Sequence, residues 1–229
     1  IGKEIVIDAA GNVYVTGESV TSGSSSDFIC IKYSPSGTQL WAKKFNGSAN
    51  NTDRANGIAV SSNGFGVYIT GESPGQGTNF DFWTLKLNSL NGDSLWSKRY
   101  GPTANRQDKS YDIAIDNAGF ILVTGFSDSI STRSNDYMTI KYDTNGQVIW
   151  QKRYNFNQSG FNNADNSYSL AVDQQNNVYI TGESVSTIPT IDMATVKYNS
   201  AGDTMWTARY NGPANDEERG RYVSVDQAG

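Results

Sequence analysis

The stretch that most resembles a catalytic motif is Gly71-Glu72-Ser73-Pro74-Gly75, which matches the Gly-x-Ser-x-Gly pattern around a nucleophilic serine. That motif needs a strand, a sharp turn and a helix, together with a histidine that takes the serine proton. Pro74 and the glycines after it oppose a helix, and the chain contains no histidine. Gly-x-Ser stands at the equivalent place of the three other repeats, at Gly17, Gly125 and Gly182. We therefore interpret it as a structural element of a repeat.

Carboxylates are the other candidates for chemistry, because a pair of acids catalyses glycoside hydrolysis in glycosidases and several converging oxygens can bind Ca²⁺. One set ends a recurring apolar segment: Asp8, Asp116, Asp173 and Asp226. A second set lies in the loop before that segment: Asp53, Asp108, Asp165 and Glu218. We interpret the first set as caps of the following turn, with an axial Ca²⁺-binding ring as the alternative. The second set gives the next candidates. Asp128, Asp216 and Glu217 occur in single repeats, and nothing in the sequence brings them together.

A third set of acids opens another segment, and each is followed five residues later by a lysine. The pairs are Asp27/Lys32, Asp81/Lys86, Asp136/Lys141 and Asp192/Lys197. Five residues apart on a strand, the two side chains point to opposite faces, so they cannot form one catalytic dyad. We expect the aspartate to bond a loop and the lysine stem to lie along apolar surface.

Basic residues recur in the segment after that. They are Lys43-Lys44, Lys98-Arg99, Lys152-Arg153 and Arg209. They could form a rim for acidic glycans, but we favour the interpretation that charge protects an outer strand from edge-to-edge pairing.

The elements that position these residues repeat four times. Gly11-Asn12-Val13-Tyr14-Val15-Thr16-Gly17 returns at 66–71, 120–125 and 177–182. A period of about 55 residues indicates a repeat architecture. Each repeat holds four short apolar segments separated by turns that contain Gly or Asn, and no stretch shows convincing helical spacing.

The third and fourth segments predict where each strand lies. Both faces of the third are largely apolar, as in Ile29 and Ile31 against Phe28 and Cys30, so both faces should be covered. The fourth carries a tryptophan at equal stations: Trp41, Trp96, Trp150 and Trp206. Its other face is mixed, which is typical of an outermost strand. The sequence predicts an all-β chain of four-stranded antiparallel units at about 1–53, 54–108, 109–165 and 166–218, with a fifth beginning at 219–229.

The order Ile-x-Val-Asp, Gly-Asn-Val-Tyr-Val-Thr-Gly, Asp-x-x-x-x-Lys-Tyr, Gly, Trp and Lys-Arg-Tyr resembles the SBBP repeat, a β-propeller repeat of bacterial secreted and surface proteins. Ser61 and Phe120 depart from the pattern at turns. The resemblance implies blades around an axis, often seven, and no fixed activity. In a four-bladed ring, 219–229 would compete with 1–11 for one place. We therefore expect residues 1–229 to form part of one larger propeller of about seven blades.

Charge and hydropathy argue against a nucleic-acid partner and against a membrane-spanning helix. A formal charge of −5 argues against a nucleic-acid partner, and no apolar run is long enough for a membrane helix. The only cysteine, Cys30, cannot form an internal disulfide. We predict a non-enzymatic, secreted or cell-surface scaffold that binds protein or glycan, with no catalytic residue and no cofactor other than Ca²⁺ as a candidate. The alternatives are a carbohydrate-active glycosidase or lyase, and a subunit of a bacterial surface or secretion assembly.

Overall fold

The computed structural model describes residues 1–20, 25–102, 106–128, 134–156, 164–187, 190–214 and 216–226. These residues form sixteen strands and no helix. The strands are β1 Gly2–Ile7, β2 Val13–Val20, β3 Ser26–Tyr33, β4 Gln39–Phe45, β5 Arg54–Val60, β6 Gly66–Pro74, β7 Phe80–Asn88, β8 Ser94–Tyr100, β9 Asp108–Ile115, β10 Ile121–Asp128, β11 Asn135–Tyr142, β12 Val148–Tyr154, β13 Asp165–Val172, β14 Val178–Thr187, β15 Thr190–Tyr198 and β16 Thr204–Tyr210.

The strands form four sheets of four, each in sequence order: β1–β4, β5–β8, β9–β12 and β13–β16, called the first to fourth sheets below. Neighbouring strands pair antiparallel, for example β2 with β3 from Val13↔Tyr33 to Val20↔Ser26. The prediction of an all-β chain built from four-stranded antiparallel units is confirmed. The total of about seven blades stays a prediction. No helix in the described ranges could cross a membrane.

The chain divides into two compact units, Ile1–Ile113 and Ala114–Gly229. The first contains the first and second sheets, and the second contains the fourth sheet and most of the third. Each unit has its own apolar core. Core residues of the first unit include Tyr14, Phe28, Trp41, Ile58 and Leu85. Those of the second include Leu122, Tyr137, Trp150, Leu170 and Val196.

The aspartate that ends a first strand caps the turn that follows it. Asp8 Oδ1 accepts from the backbone N–H groups of Ala10 and Asn12, both at 2.9 Å, and the Tyr14 hydroxyl donates to Oδ2. Asp116 and Asp173 accept equivalent backbone bonds. The turn-cap interpretation is thus confirmed for these three. Where Ser61 replaces aspartate, its Oγ accepts from Gly66 N–H at 2.9 Å. The capped turns fix the register of β1 with β2 and of its equivalents.

In the first unit, an indole and a lysine hold the turn of the following sheet. Trp41 Nε1 and Lys32 Nζ donate to the backbone carbonyl of Ser89, at 3.1 and 3.0 Å. Gly92 lies in the same turn at φ +76°, and a Cβ there would come within 2.8 Å of the Trp41 ring. Only glycine therefore fits between this turn and the indole. The exposed fraction of Trp41 is 8%.

The second unit contains the same contact. Trp150 Nε1 and Lys141 Nζ donate to the Ser200 carbonyl, both at 3.2 Å. Gly202, at φ +86°, lies against the Trp150 ring, and Trp150 is also 8% exposed. We call this arrangement the indole–lysine clamp. It gives one turn carbonyl two donors while the ring covers apolar surface.

The other two tryptophans each meet a tyrosine ring of the second strand of their own sheet, as Trp41 meets Tyr14 at 6.0 Å. Trp96 is half-buried and meets the Tyr68 ring at 5.9 Å between centroids. Trp206 meets Tyr179 at 6.0 Å but is 42% exposed. The residue before each tryptophan falls at a β-bulge in the outer strand and is exposed: Leu40, Leu95, Ile149 and Met205. Bulges at an outer edge oppose pairing with another sheet.

The clamp predicts unequal costs of losing tryptophan. Trp41→Ala and Trp150→Ala should each lower the unfolding free energy by about 3–5 kcal/mol, because each opens a buried cavity and leaves a carbonyl with one donor. Trp206→Ala should cost clearly less, since nearly half of that ring is already in water. Urea unfolding of the three variants makes the comparison. Equal losses at Trp41 and Trp206 would contradict the clamp.

Candidate functional site

Each sheet has two unlike ends. The connections within β1–β2 and β3–β4, and their equivalents, are short capped turns, and we call that side of the sheet the turn end. The connections β2–β3 and β4–β5, and their equivalents, lie on the other side, the loop end. Loops of neighbouring sheets meet there in the first unit, where Asp53 N–H donates to the Ser26 carbonyl at 2.7 Å. Most of the polar residues singled out from the sequence lie at the loop end.

An aspartate, an arginine and a serine form a cluster at the loop end of the second sheet. Arg99 donates to the Ser73 carbonyl at 2.6 Å and to Ser73 Oγ at 2.5 Å. The Asp81 carboxylate lies 3.6 Å from the same guanidinium. Ser73 is fully buried, so the Gly-x-Ser-x-Gly serine is a structural acceptor with no path to a substrate. Desolvation raises the pKa of Asp81 and lowers that of Arg99, while the attraction between the two opposes both shifts.

The third and fourth sheets repeat this cluster. Arg153 donates to Asp136 and to the Ser127 carbonyl and Oγ, all at 2.8 Å. Arg209 donates to Asp192 at 2.8 Å and to the Ser184 carbonyl and Oγ. In the first sheet, the half-buried Asp27 and the exposed Lys44 occupy these stations.

The fourth-strand arginines were not expected to point inward. Both sequence interpretations, a basic rim and edge protection, leave the charge in solvent. Arg99, Arg153 and Arg209 instead reach buried carboxylates of their own sheets. Alternation along the strands explains the difference, because Arg99 pairs with Trp83 and therefore shares a sheet face with Asp81, two residues before Trp83, and with Ser73, which pairs with Asp81.

The lysine partners of these aspartates lie at the turn end. Lys32, Lys86 and Lys197 each lie over a second-strand tyrosine ring, at 5.0, 5.5 and 4.6 Å from the centroid. Lys141 forms a buried ion pair with Asp116 at 2.8 Å. Each Asp/Lys pair therefore spans the length of its strand. The two groups cannot share a substrate, in agreement with the expected opposite faces.

Buried acids join neighbouring sheets at the loop end. Asp53 accepts from Gly47 N–H at 2.6 Å and is fully buried beside Arg99 and Asp27. Desolvation raises its pKa, against the bonds from Ser73 and Gly47. Asp165 is equally buried, and desolvation raises its pKa to about 6. Perturbed acids mark functional sites when they face a cleft. These two are enclosed between sheets, so their role is to connect them.

Hydroxyl groups fill the space beside these acids. Thr70 bonds Thr84 at 3.0 Å and Ser110 at 2.8 Å. The second unit has the same chain, in which Thr124 bonds Thr139 and Ser167. All six are fully buried and use one another as partners. These six hydroxyls therefore satisfy one another as buried polar groups, which is a structural role.

Glu4 was missed by sequence reasoning. Its Oε2 accepts from Ile58 N–H at 2.6 Å and so ties β1 to β5. Desolvation raises the pKa of Glu4 to about 7, and the negative charge of Asp112 adds to the shift. The equivalent positions hold Gly57, Asp112, Ser169 and Tyr222, so the repeat itself gave no signal. Ser169 makes the equivalent link in the second unit, where its Oγ accepts a hydrogen bond from Val223 N–H at 3.3 Å.

Ion pairs across the sheets form a second feature that sequence reasoning missed. Glu18 lies 3.7 Å from Arg54 of the next sheet. Glu72 pairs with Lys109 at 3.1 Å and Glu183 with Arg219 at 2.5 Å. The sequence does contain a signal for these pairs. Where a repeat has Gly-Glu-Ser, the residue that follows the loop acid of the next repeat is basic. Where Phe126 replaces the glutamate, that residue is Asn166.

The described residues contain no group of three or more Cys, Asp or Glu placed to hold a metal ion. The oxygens of Asp8 and Asp173, proposed as an alternative Ca²⁺ ring, are used by their turns. Hydrogen bonds from Asn12 and Asn177 lower the pKa of these two carboxyls although desolvation opposes it. The geometry therefore supports structural roles for the recurrent acids.

Comparison with known proteins gives a family match. The SBBP model, described as a beta-propeller repeat, matches residues 41–81, 95–130 and 156–188. The first two matches each begin in an outer strand and run through the first two strands of the next sheet, so the sequence repeat spans the junction between sheets. No curated protein is significantly similar in sequence.

Two solved β-propellers share the fold. A quinohemoprotein alcohol dehydrogenase from Comamonas testosteroni aligns with a TM-score of 0.57 and 11% identity, over 90% of this chain and 35% of its own. A periplasmic gluconolactonase from Pseudomonas aeruginosa aligns with a TM-score of 0.54 and 10% identity, over 90% of this chain and 56% of its own. The chain thus spans about a third of one structure and about half of the other. At this identity the likeness concerns the fold alone.

The cluster at Asp136 predicts a strong penalty for removing one partner. Asp136→Leu should lower the unfolding free energy by about 3 kcal/mol, because it leaves Arg153 without its carboxylate. Adding Arg153→Met should recover at least half of that loss. Asp93→Ala, which breaks the exposed pair with Lys43, serves as control and should cost less than about 1 kcal/mol. A double variant worse than the sum of the single variants would contradict the cluster.

Glu4 predicts a pH dependence of stability. The folded chain holds this proton more tightly than the unfolded chain, whose pKa is near the ordinary 4.5. The stabilisation is complete below about pH 4.5 and is lost as the pH rises through about 7. Between pH 5 and 8, wild type should lose on the order of 1–3 kcal/mol relative to Glu4→Gln. Urea unfolding at both pH values tests this, with Asp93→Asn as control. Parallel pH profiles for wild type and Glu4→Gln would refute it.

Proposed function

Because the chain carries SBBP β-propeller repeats, we propose that it is a non-enzymatic scaffold that presents its loop end to a glycan or protein partner. We also propose that it acts outside the bacterial cell or on its surface, as part of a larger assembly. The observation that carries the proposal is the use of the recurrent polar residues. In the described ranges they cap turns, join sheets or lie in buried ion pairs, so the repeats build a frame and leave recognition to the loops.

The loop end of the first unit offers a surface suited to hydroxyl-rich ligands. Asn46, Ser48, Asn50 and Gln76 are all exposed there. Gln76 Nε2 reaches the Ser48 carbonyl at 3.3 Å, which joins the loop of the second sheet to that of the first. Amide and hydroxyl groups can both donate and accept hydrogen bonds, as sugar hydroxyls do. We call these four residues the amide surface.

The backbone beneath the amide surface is held firmly. Thr78 Oγ1 accepts from Gly75 N–H at 2.8 Å and donates to Asp81 at 3.0 Å. The loop is thereby anchored to the Asp81–Arg99–Ser73 cluster. A pre-organised loop loses less entropy on binding, which favours recognition by exposed side chains. Of the variable loops noted in the sequence, 21–24, 129–133 and 188–189 lie outside the described residues.

A glycosidase or lyase is the less supported candidate. Such an enzyme needs two carboxylates, or a base and a charge neutraliser, at defined positions in an open pocket. The acids with raised pKa at the loop end, Asp53, Asp81, Asp136 and Asp165, are covered by the sheets that they join. The exposed Glu217 is paired with Arg219 at 2.7 Å. These contacts favour a binding role.

Glycan-array binding with purified chain tests the proposal. Gln76→Ala and Ser48→Ala together should weaken binding to the preferred glycan by about tenfold, the loss of roughly one good polar contact. Asn145→Ala, an exposed amide at the turn end, is the matched control and should leave binding unchanged. An equal loss in the control would refute the loop end as the binding face. Release of sugar from any array glycan, abolished by Glu217→Gln, would establish an enzyme instead.

A further inference from the structure

A cleft of about 590 Å³ opens at the loop end of the first sheet, and we call it the Ser26 cleft. Its walls include the end of β2, the start of β3 and the loop that enters β5, all within the described ranges 1–20 and 25–102. Glu18 and Arg54 supply its charged groups. Four more lining residues carry hydroxyl groups: Ser19, Ser25, Ser26 and Thr52. A cleft of this volume, in which a few polar groups converge, is typical of small-molecule sites.

The second sheet shows why this place is open in the first. Ser26 and Phe80 occupy equivalent stations, since each pairs with the last residue of the strand before it. The centroid of the Phe80 ring lies 5.4 Å from the Arg54 guanidinium carbon and 4.9 Å from Lys109 Nζ. The ring thus fills the space between two cations in the second sheet. A serine side chain is too short to fill the same space in the first.

The third sheet fills this station with an amide. Asn135 Nδ2 donates to Asn166 Oδ1 at 3.0 Å, and Asn166 Nδ2 donates in turn to Glu183 Oε1 at 2.7 Å. These polar groups are therefore partners of one another. The open cleft of the first sheet follows from one residue type at one station, and the repeat as such does not require it.

The glutamate in the Ser26 cleft is held less tightly than its equivalent in the second sheet. Glu72 lies 2.8 Å from Arg54 and 3.1 Å from Lys109. Glu18 lies 3.7 Å from Arg54 and 3.8 Å from Lys3, and both distances are longer than a hydrogen bond. A carboxylate has about four acceptor positions, so these ion pairs leave room for donors from a ligand. The Glu18 side chain is only 13% exposed, and such partial burial strengthens a polar contact.

The charges around the cleft favour an uncharged ligand. Glu18 is accompanied by Lys3 and Arg54, and Arg54 is shared with Glu72. A cationic ligand would compete with Lys3 and Arg54 for the carboxylate, whereas an anionic ligand would be repelled by Glu18. A neutral ligand that is rich in hydroxyl groups can donate to Glu18 and accept from Arg54. The serine and threonine hydroxyls can do either.

We propose that the Ser26 cleft binds one uncharged pyranose unit of a glycan. This inference rests on the proposed function and names the ligand class for it. The sugar hydroxyls would bond Glu18 and Arg54, and the pyranose ring would take the place that the Phe80 ring fills in the second sheet. Thr52 in the cleft and Asn50 on the amide surface belong to one loop, so a longer glycan would extend from the cleft onto that surface.

The test fills the cleft in the way the second sheet does. Ser26→Phe places a ring at the station where Phe80 is accommodated. Saturation-transfer NMR and titration measure binding of the methyl pyranosides of glucose, galactose, mannose and N-acetylglucosamine. Wild type should bind at least one of them with a millimolar Kd, and Ser26→Phe should weaken that binding by at least tenfold. Glu18→Gln preserves the shape of the cleft and should weaken it by about tenfold, because charge-assisted hydrogen bonds are lost.

The controls separate the cleft from general effects. Glu183→Gln removes the equivalent glutamate of the fourth sheet and should leave binding unchanged. Glucuronic acid and glucosamine should bind at least tenfold more weakly than the best uncharged glycoside. Urea unfolding reports whether Ser26→Phe is folded, and Glu18→Gln decides if it is not. The proposal is overturned if wild type binds none of the glycosides, if Glu18→Gln binds as well as wild type, or if a charged sugar is preferred.

The result for the cleft is distinguishable from the result for the amide surface. If Ser26→Phe keeps full glycan-array binding while the double variant Gln76→Ala/Ser48→Ala loses it, the cleft proposal fails and the proposed function stands. If the double variant keeps array binding while Ser26→Phe loses both array and glycoside binding, the cleft is supported and the amide surface is refuted.

Discussion

The contact between an indole, a lysine and the carbonyl of the next turn is the constraint on which the rest of the structure depends. A four-stranded sheet with two apolar faces cannot bury both by itself, so it must pack against a like sheet. Packing alone would leave the turn carbonyl without water. Two donors from the neighbouring sheet replace that water, and a glycine lets the turn approach the ring. The clamp thus joins hydrophobic burial and hydrogen bonding in one place.

At the loop end, the strands and neighbouring sheets are held together by buried charged groups. Each of the last three sheets buries an aspartate against an arginine, and a further acid enters from the loop between sheets. Burial of so many carboxylates opposes their ionisation, which explains the raised pKa values of Asp53, Asp81, Asp136 and Asp165. Removing one partner from such a network strongly lowers stability, whereas replacing all of its charged partners by apolar residues of similar size costs little. Polar residues that resemble catalytic groups in the sequence therefore act as connectors.

Much of the fold follows from the sequence because it is repeated. Alternation along Phe28 to Tyr33 indicates a strand covered on both faces, and the recurrent Trp41 station marks the outer strand. The turn-capping role of Asp8 follows from its place before Ala10-Gly11. These features could be predicted from the sequence because each one depends on residues that are close neighbours along the chain.

The site could not be predicted in the same way, because its partners come from different strands or sheets. Nothing in the sequence tells that Arg99 turns inward to Ser73, which lies 26 positions away. Glu4 is invisible to repeat analysis because its equivalents differ in type. The link between Glu72 and Lys109 was present as a pattern, but its meaning depends on which sheets lie side by side.

The most direct measurement is hydrogen exchange at the indole Nε1 of each tryptophan, followed by NMR. The account predicts that Trp41 and Trp150 exchange as slowly as amides in the central strands, since both rings are 8% exposed and their N–H groups are bonded to the turn carbonyls of Ser89 and Ser200, and that Trp206 exchanges at least tenfold faster. Fast exchange at Trp41 and Trp150, similar to that of Trp206, would show that the clamps do not hold the sheets together.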